Sequence, residues 1–199
     1  MSGQDYEKIG MKIILGSSSQ WRKDVLKRAG IEFESISPDI DEKAIRRDDP
    51  KELVLAIAHA KADVLEKQIT EPALLITSDQ VTICHGEIRE KPETEEEARR
   101  YLKSYEKYPA ELINGLVVTN TKTGKRAEGI GTVKIFLKGF PDKVIDQIIA
   151  KGDGFTCSGG FQAEDPLTRR YIDRMEGTDE GAKGLPLDLL KRLMKEVQD

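Results

Sequence analysis

A chain that runs from a short apolar strand, Lys12 to Leu15, through Gly16-Ser17-Ser18-Ser19 and straight into the helix opening Gln20-Trp21-Arg22 has few architectures open to it. The first amides of a helix have no intrahelical acceptor and point outward with the positive end of the helix dipole behind them, which makes a ready anion site. Ser17 and Ser19 add hydroxyl donors, and Arg22, one turn into the helix, can return its planar fork to the same anion. Taken alone, an ordinary serine N-cap followed by a surface arginine explains the same residues. The rest of the chain decides between the two.

Strands and helices alternate throughout, as in an α/β protein. The first helix carries Trp21, Val25, Leu26 and Ala29 on one side, with Gly30 as its stop. A strand is expected from Ile31 to Ser37. Pro38-Asp39-Ile40-Asp41-Glu42 is an acidic turn, and hard cations such as magnesium take carboxylates offered from loops, so Asp41 and Glu42 are candidate ligands. Asp49-Pro50 opens a helix reaching about Gln68, with Lys61 in an apolar stripe beside Leu53, Ile57 and Val64. That lysine either snorkels to the rim or reaches an anion.

Leu74 to Ile83 reads as a central strand interrupted by Asp79. An acid inside a strand is costly unless it is paired, hydrogen-bonded or bound to metal. A hairpin turn at His85-Gly86 leads to Glu90-Lys91-Pro92, with Lys91 near a strand end where open α/β sheets place ligands, and then to a capping box at Thr94. Downstream, strands are expected over Leu112 to Thr119 and Thr132 to Leu137, joined by a turn-rich stretch from Asn120 to Gly131. A helix opens at Pro141 and ends at Gly152. Gly152 to Gly160 is a glycine-rich loop that either closes over a base or merely turns. The stripe Leu187, Leu190, Leu193, Met194, Val197 has two candidate partners, the core or a second copy of the chain, so a homodimer is an expectation to test.

At 199 residues, with 34% charged residues and a net charge of −4, the chain has no basic excess for clamping a nucleic acid polymer. Cys84 and Cys157 have no CxxC spacing, so no disulfide framework or zinc site is indicated, and a reducing cytoplasm fits. No long apolar run suggests a membrane span, and the polar residues 1–10 read as a mobile extension before a single domain over 11–199.

Ser17-Ser18-Ser19-Gln20-Trp21-Arg22, Asp41-Glu42, Ala58-His59-Ala60-Lys61-Ala62, Ser78-Asp79-Gln80-Val81, Glu90-Lys91-Pro92 and Gly184-Leu185-Pro186-Leu187 together resemble the Maf family, in its order and spacing, from Lys12 to the last helix. The resemblance implies an inosine-triphosphatase-like α/β fold: a long twisted mixed sheet flanked by helices, with a central cleft between two lobes. It also implies cleavage of a nucleoside triphosphate between its α and β phosphates with a divalent metal cation, Mg2+ or Mn2+. By the same resemblance Asp79 is the proton acceptor, and Ser17, Arg22, Glu42, Lys61 and Lys91 line the phosphate and metal region; from the residues themselves Ser19 is a further candidate for binding phosphate, and Asp79 joins Glu42 as a candidate for the metal. The residues themselves leave open whether Asp79 acts as base or as metal ligand.

Two departures from the common family pattern bear on substrate. Gln20-Trp21 stands where proline and often a further arginine occur, and Thr156-Cys157-Ser158-Gly159-Gly160-Phe161 replaces Asp-Lys-Ala-Gly-x-Tyr, with Glu164 in place of a common glutamine. Trp21, Gln80, Cys157 and Glu164 resemble the branch that prefers 7-methyl-GTP. The chemistry agrees. N7 methylation leaves guanine cationic, which suits an indole face, and a carboxylate can accept from N1–H and the exocyclic amine together. Pyrimidines offer no such donor pair. Two other functions are alternatives for such a chain: a house-cleaning pyrophosphatase for dTTP or UTP, and a non-catalytic nucleotide-binding regulator of cell division.

Overall fold

The computed structural model describes residues 11–198. Residues 1–10, read above as an extension, lie outside the described residues, as does residue 199. The strands are β1 (Lys12–Gly16), β2 (Glu34–Ile36), β3 (Ala73–Cys84), β4 (Glu87–Arg89), β5 (Ala110–Asn120), β6 (Arg126–Leu137) and β7 (Ile172–Glu176). The helices are α1 (Gln20–Arg28), α2 (Pro50–Glu66), α3 (Glu95–Ser104), α4 (Asp142–Lys151), α5 (Pro166–Arg169), α6 (Asp179–Ala182) and α7 (Leu187–Glu196). The strands form one mixed sheet in the order β2-β1-β3-β5-β6-β7, with β4 attached to β3. This is the mixed α/β sheet expected from the sequence.

β1 pairs in parallel with both β2 and β3, Ile14 lying opposite Glu34 on one side and Leu75 on the other. Parallel neighbours need crossovers, and α1 and α2 supply them. β2 is shorter than the expected Ile31 to Ser37 because the Ile31 amide is spent elsewhere. It donates to Leu26 O at 3.0 Å and closes α1 behind Gly30, whose φ is +67°. β3 turns back into β4 through His85-Gly86, both at positive φ, as two-residue hairpins require.

Two compact units divide the described chain: residues 11–79, 114–131 and 179–198 in one, 80–113 and 132–178 in the other. In the first, the two-residue period of β3 sorts its side chains. Leu74 and Ile76 join Leu15, Val25 and Leu26 and are closed over by Leu190, Leu193 and Met194 of α7. Ala73 and Leu75 face Ala58, Ala62 and Leu65 of α2. The stripe of the terminal helix is therefore covered within its own unit, and Asn120 Nδ2 donates to Val197 O at its end (3.1 Å). Asp49 caps α2 by accepting from the Lys51 and Glu52 amides (2.7 and 3.2 Å), ahead of Pro50.

The expected turn from Asn120 to Gly131 is much shorter in the structure, since β6 begins at Arg126. Gly129 and Gly131 lie inside that strand. A Cβ on Gly129 would come within 2.6 Å of Leu189 Cδ1, and one on Gly131 within 2.7 Å of Pro186 Cγ, so both glycines serve close packing and not chain reversal.

The second unit packs α3 with α4 around Tyr101, Leu102, Tyr105, Ile145 and Ile148. The capping box at Thr94 is asymmetric: Thr94 Oγ1 accepts from the Glu97 amide (3.1 Å), while Glu97 reaches back to the Glu93 amide (2.9 Å).

Candidate phosphate and carboxylate site

β1 ends at Gly16, where a Cβ would sit 2.5 Å from Leu65 Cδ1 and 2.7 Å from Thr77 Cγ2, so only glycine lets the loop leave there. Ser17 follows, buried, its carbonyl accepting from Ser35 Oγ (2.8 Å). Its own Oγ accepts from the Ser19 amide (3.1 Å) and from Arg22 Nη1 (3.3 Å). A hydroxyl has two lone pairs and one proton, so with both lone pairs engaged the Ser17 proton is what remains to give. Ser19 occupies the N-cap position of α1 but its side chain makes no capping bond, and the first turn holds no acid. The bland reading of this stretch as an ordinary serine cap therefore fails on geometry.

Arg22 is half-buried, with Nε donating to Gly184 O at 3.2 Å. Burial lowers the pKa of its guanidinium, and the carboxylates of Asp79 and Glu42 oppose that shift without cancelling it. A cation in that condition has capacity left for an anion.

Lys61 neither snorkels nor stays free. It is 4% exposed, and its ammonium donates to Ser78 O (3.2 Å) and Asp79 Oδ1 (3.0 Å) and pairs with Glu42 Oε1 (2.9 Å), one acceptor for each proton. The match comes from two periodicities. Thr77 and Asp79 share a face of β3, Ala58 and Lys61 lie three apart on α2, and Thr77 Oγ1 donates to Ala58 O (2.8 Å) beside the Lys61–Asp79 pair. Glu42 opens a 3₁₀ turn, Glu42–Ala44, whose N-cap is Asp41, accepting from the Lys43 and Ala44 amides. Asp41 thus presents Glu42.

Ser17, Ser19, Arg22, Lys61, Asp79 and Glu42 are thus gathered within the first unit, with Trp21 half-buried on α1. In the second unit, Gln80 is half-buried, Lys91 is exposed, and Glu164 is half-buried with Oε2 3.5 Å from Arg169 Nη1. The glycine-rich loop there is a tied turn. Ser158 Oγ accepts from the Thr82 amide (2.7 Å) and donates to Arg89 O (2.6 Å), and the Gly159 amide donates to Glu90 O (3.1 Å). Tyr105 Oη donates to Gly159 O (2.8 Å). Sequence reasoning missed two contributors. Ser35 carries no signal at all, whereas Gly184 lay in a recognised motif without a stated job.

Among the described residues no three His, Cys, Asp or Glu side chains converge as a metal cluster. The donor set nonetheless suits a magnesium-like ion, which takes one or two carboxylates and completes its shell with water and substrate phosphate. Asp79 and Glu42, converging on one ammonium, are such a pair.

The chain belongs to the Maf family: the model for Maf-like proteins matches residues 12–197. It is 46% identical over 192 residues to a 7-methyl-GTP pyrophosphatase of Dictyostelium discoideum, covering 93% of this chain and 96% of that protein. It is 36% identical over 185 residues to a nucleoside triphosphate pyrophosphatase of a Synechococcus strain, covering 93% of each. A crystal structure of a nucleoside-triphosphatase (dITP/XTP pyrophosphatase) of Mycobacterium abscessus aligns with TM-score 0.38 and 14% identity over 64% of this chain and 73% of that one. Among the described residues no helix is long and apolar enough to cross a membrane.

Proposed function

We propose that the chain is a nucleoside triphosphate pyrophosphatase that hydrolyses 7-methyl-GTP, or a related modified nucleotide, between the α and β phosphates to give the monophosphate and pyrophosphate. The observation that carries this reading is Arg22: lowered in pKa by burial, aimed by Gly184 O and Ser17 Oγ, and set at an uncapped helix N-terminus in the field of Asp79. A polyphosphate supplies acceptor oxygens for the guanidinium and for the first amides of α1. The Ser17 proton and the α1 amides would donate to phosphate, and Arg22 would spread the charge developing at the leaving pyrophosphate. Lys61, spent on Asp79 and Glu42, would hold both carboxylates in register and contribute its charge from behind them. Asp79 is the proposed acceptor of the proton from the attacking water.

Glu42 and Asp79 are the residues that would hold a divalent ion, which when bound would neutralise charge on the triphosphate. Lys91 is a further proposed phosphate contact. Trp21, Gln80 and Glu164 are the proposed selectors of the base, on the chemistry of a cationic purine. The name of the Dictyostelium relative supports that choice.

The test is pyrophosphate release with magnesium and with manganese from 7-methyl-GTP, GTP, dTTP and UTP, using the parent and Asp79→Asn. The expected result is preferential turnover of 7-methyl-GTP that falls by about a thousandfold in the variant. Preference for dTTP or UTP would replace the base assignment and leave the reaction. Binding of the nucleotides without turnover in the parent would favour the regulator.

A further inference from the structure

Gly184 stands where a backbone carbonyl meets the Arg22 guanidinium. Its oxygen accepts from Arg22 Nε at 3.2 Å, its φ is +88°, and a Cβ placed on it would lie 2.9 Å from Arg22 Nε and 3.2 Å from Nη2. The segment that carries it is held on both sides. Gly181 O accepts from the Gly184 amide (3.0 Å) and from Nδ2 of Asn114 (3.0 Å), which is fully buried on β5. Leu185 donates its amide to Glu180 O (3.0 Å) and buries its side chain completely in the core with Leu15 and Leu26. The Gly184 carbonyl is thus a fixed point and the Arg22 side chain the movable one.

From this we infer that Gly184 is a positioning residue for the hydrolysis. Its carbonyl and its missing side chain aim the Arg22 guanidinium at the substrate phosphates, and Asn114, through its hydrogen bond to Gly181 O, holds the turn that carries Gly184. The inference rests on the reading of Arg22 as a phosphate contact. An added methyl at position 184 meets the far end of a flexible side chain and not backbone, so the expected consequence is displacement of Arg22, with the core left intact. An arginine fork that is pushed off its aim loses its bidentate geometry.

The experiment is a double-mutant cycle on pyrophosphate release from 7-methyl-GTP with magnesium, comparing the parent, Gly184→Ala, Arg22→Ala and the double variant, each with a thermal melt. Gly124→Ala is the strain control, since Gly124 has φ +74° and an added Cβ there would meet no atom within 4 Å. Gly184→Ala is expected to lower kcat/KM by roughly tenfold or more while melting no earlier than the control, and the double variant to match Arg22→Ala alone. If Gly184→Ala melts below the assay temperature, Gly184→Asn carries the same comparison, because asparagine tolerates positive φ. Full activity in the position-184 variants, or losses that multiply in the double variant, would overturn the inference. Full activity in Arg22→Ala would instead overturn the phosphate reading beneath it.

Discussion

Arg22 in the first unit is half-buried and Arg89 in the second is buried, and the molecule treats the two cations in opposite ways. Arg89 is 3% exposed and lies between the rings of Tyr101 and Tyr105, 4.8 and 5.0 Å from their centroids. Its Nη1 donates to Tyr101 O (3.2 Å) and Ser104 Oγ (2.6 Å), and its Nε to Glu87 (3.3 Å). Arg22 makes two hydrogen bonds that fix its direction, and its pKa is lowered because nearby carboxylates only partly offset its burial. A buried charge by itself therefore says little about function. What distinguishes the two is whether the surrounding chain has already answered the charge: Arg89 is answered by rings, carbonyl and carboxylate and acts as scaffold, while Arg22 is aimed and left with capacity.

The comparison breaks most visibly under Arg22→Ala. We expect kcat/KM for 7-methyl-GTP to fall by about a hundredfold, the equivalent of a charge-assisted contact of about 2–3 kcal/mol, with the melting temperature unchanged or raised, since a poorly compensated cation is removed. Arg89→Met should do the reverse. Stripping its partners of their donor costs about 2 kcal/mol, on the order of 5 °C in Tm, while turnover per folded molecule stays within about twofold. If Arg89→Met proves catalytically dead and thermally normal, the contrast between the two arginines is wrong.

A smaller effect sharpens the same contrast on the acidic side. Asp165 caps α5 by accepting from the Leu167 amide (2.8 Å) and pairs with Lys151. Burial pushes its carboxyl up, but the Lys151 ammonium and the Leu167 amide outweigh it and hold its pKa below the usual carboxylate value. A depressed acid stabilises the fold above its unfolded pKa and loses that contribution as pH falls through the folded one. Asp165→Ala should therefore cost about 1 kcal/mol at pH 7, and the gap from the parent should close below about pH 4 in urea melts followed by circular dichroism. Its substrate preference should be that of the parent, because Asp165 is satisfied by the chain itself while its neighbour Glu164 is the proposed selector.

Much of this was legible in the chain. The caps at Asp49 and Thr94, the hairpin at His85-Gly86 and the stop at Gly30 are local events, decided within a few residues, and the structure has each of them. Asp79 could be singled out because an acid in an apolar strand demands a partner. Which partner it takes was not legible, since Lys61 lies on another element and reaches it only once α2 packs on β3. Gly129 and Gly131 misled for the same reason. Read locally they signal a turn, but they are small because α7 and Pro186 press on β6, a constraint that appears only after the sheet is covered.

By itself the sequence determined the alternation of strands and helices, the places where helices begin and end, the family, and the set of charged groups that are candidates for a phosphate site. All of these depend on short-range sterics, hydrogen bonding and periodicity. Only the tertiary structure decided which charges are satisfied and which are left over. Whether Lys61 spends its three protons on Ser78, Asp79 and Glu42, and whether Arg22 is aimed by a carbonyl 162 residues away, depends on where distant backbone lands and how much water is expelled there. Desolvation and hydrogen-bond geometry are properties of the packed chain, and no local pattern carries them.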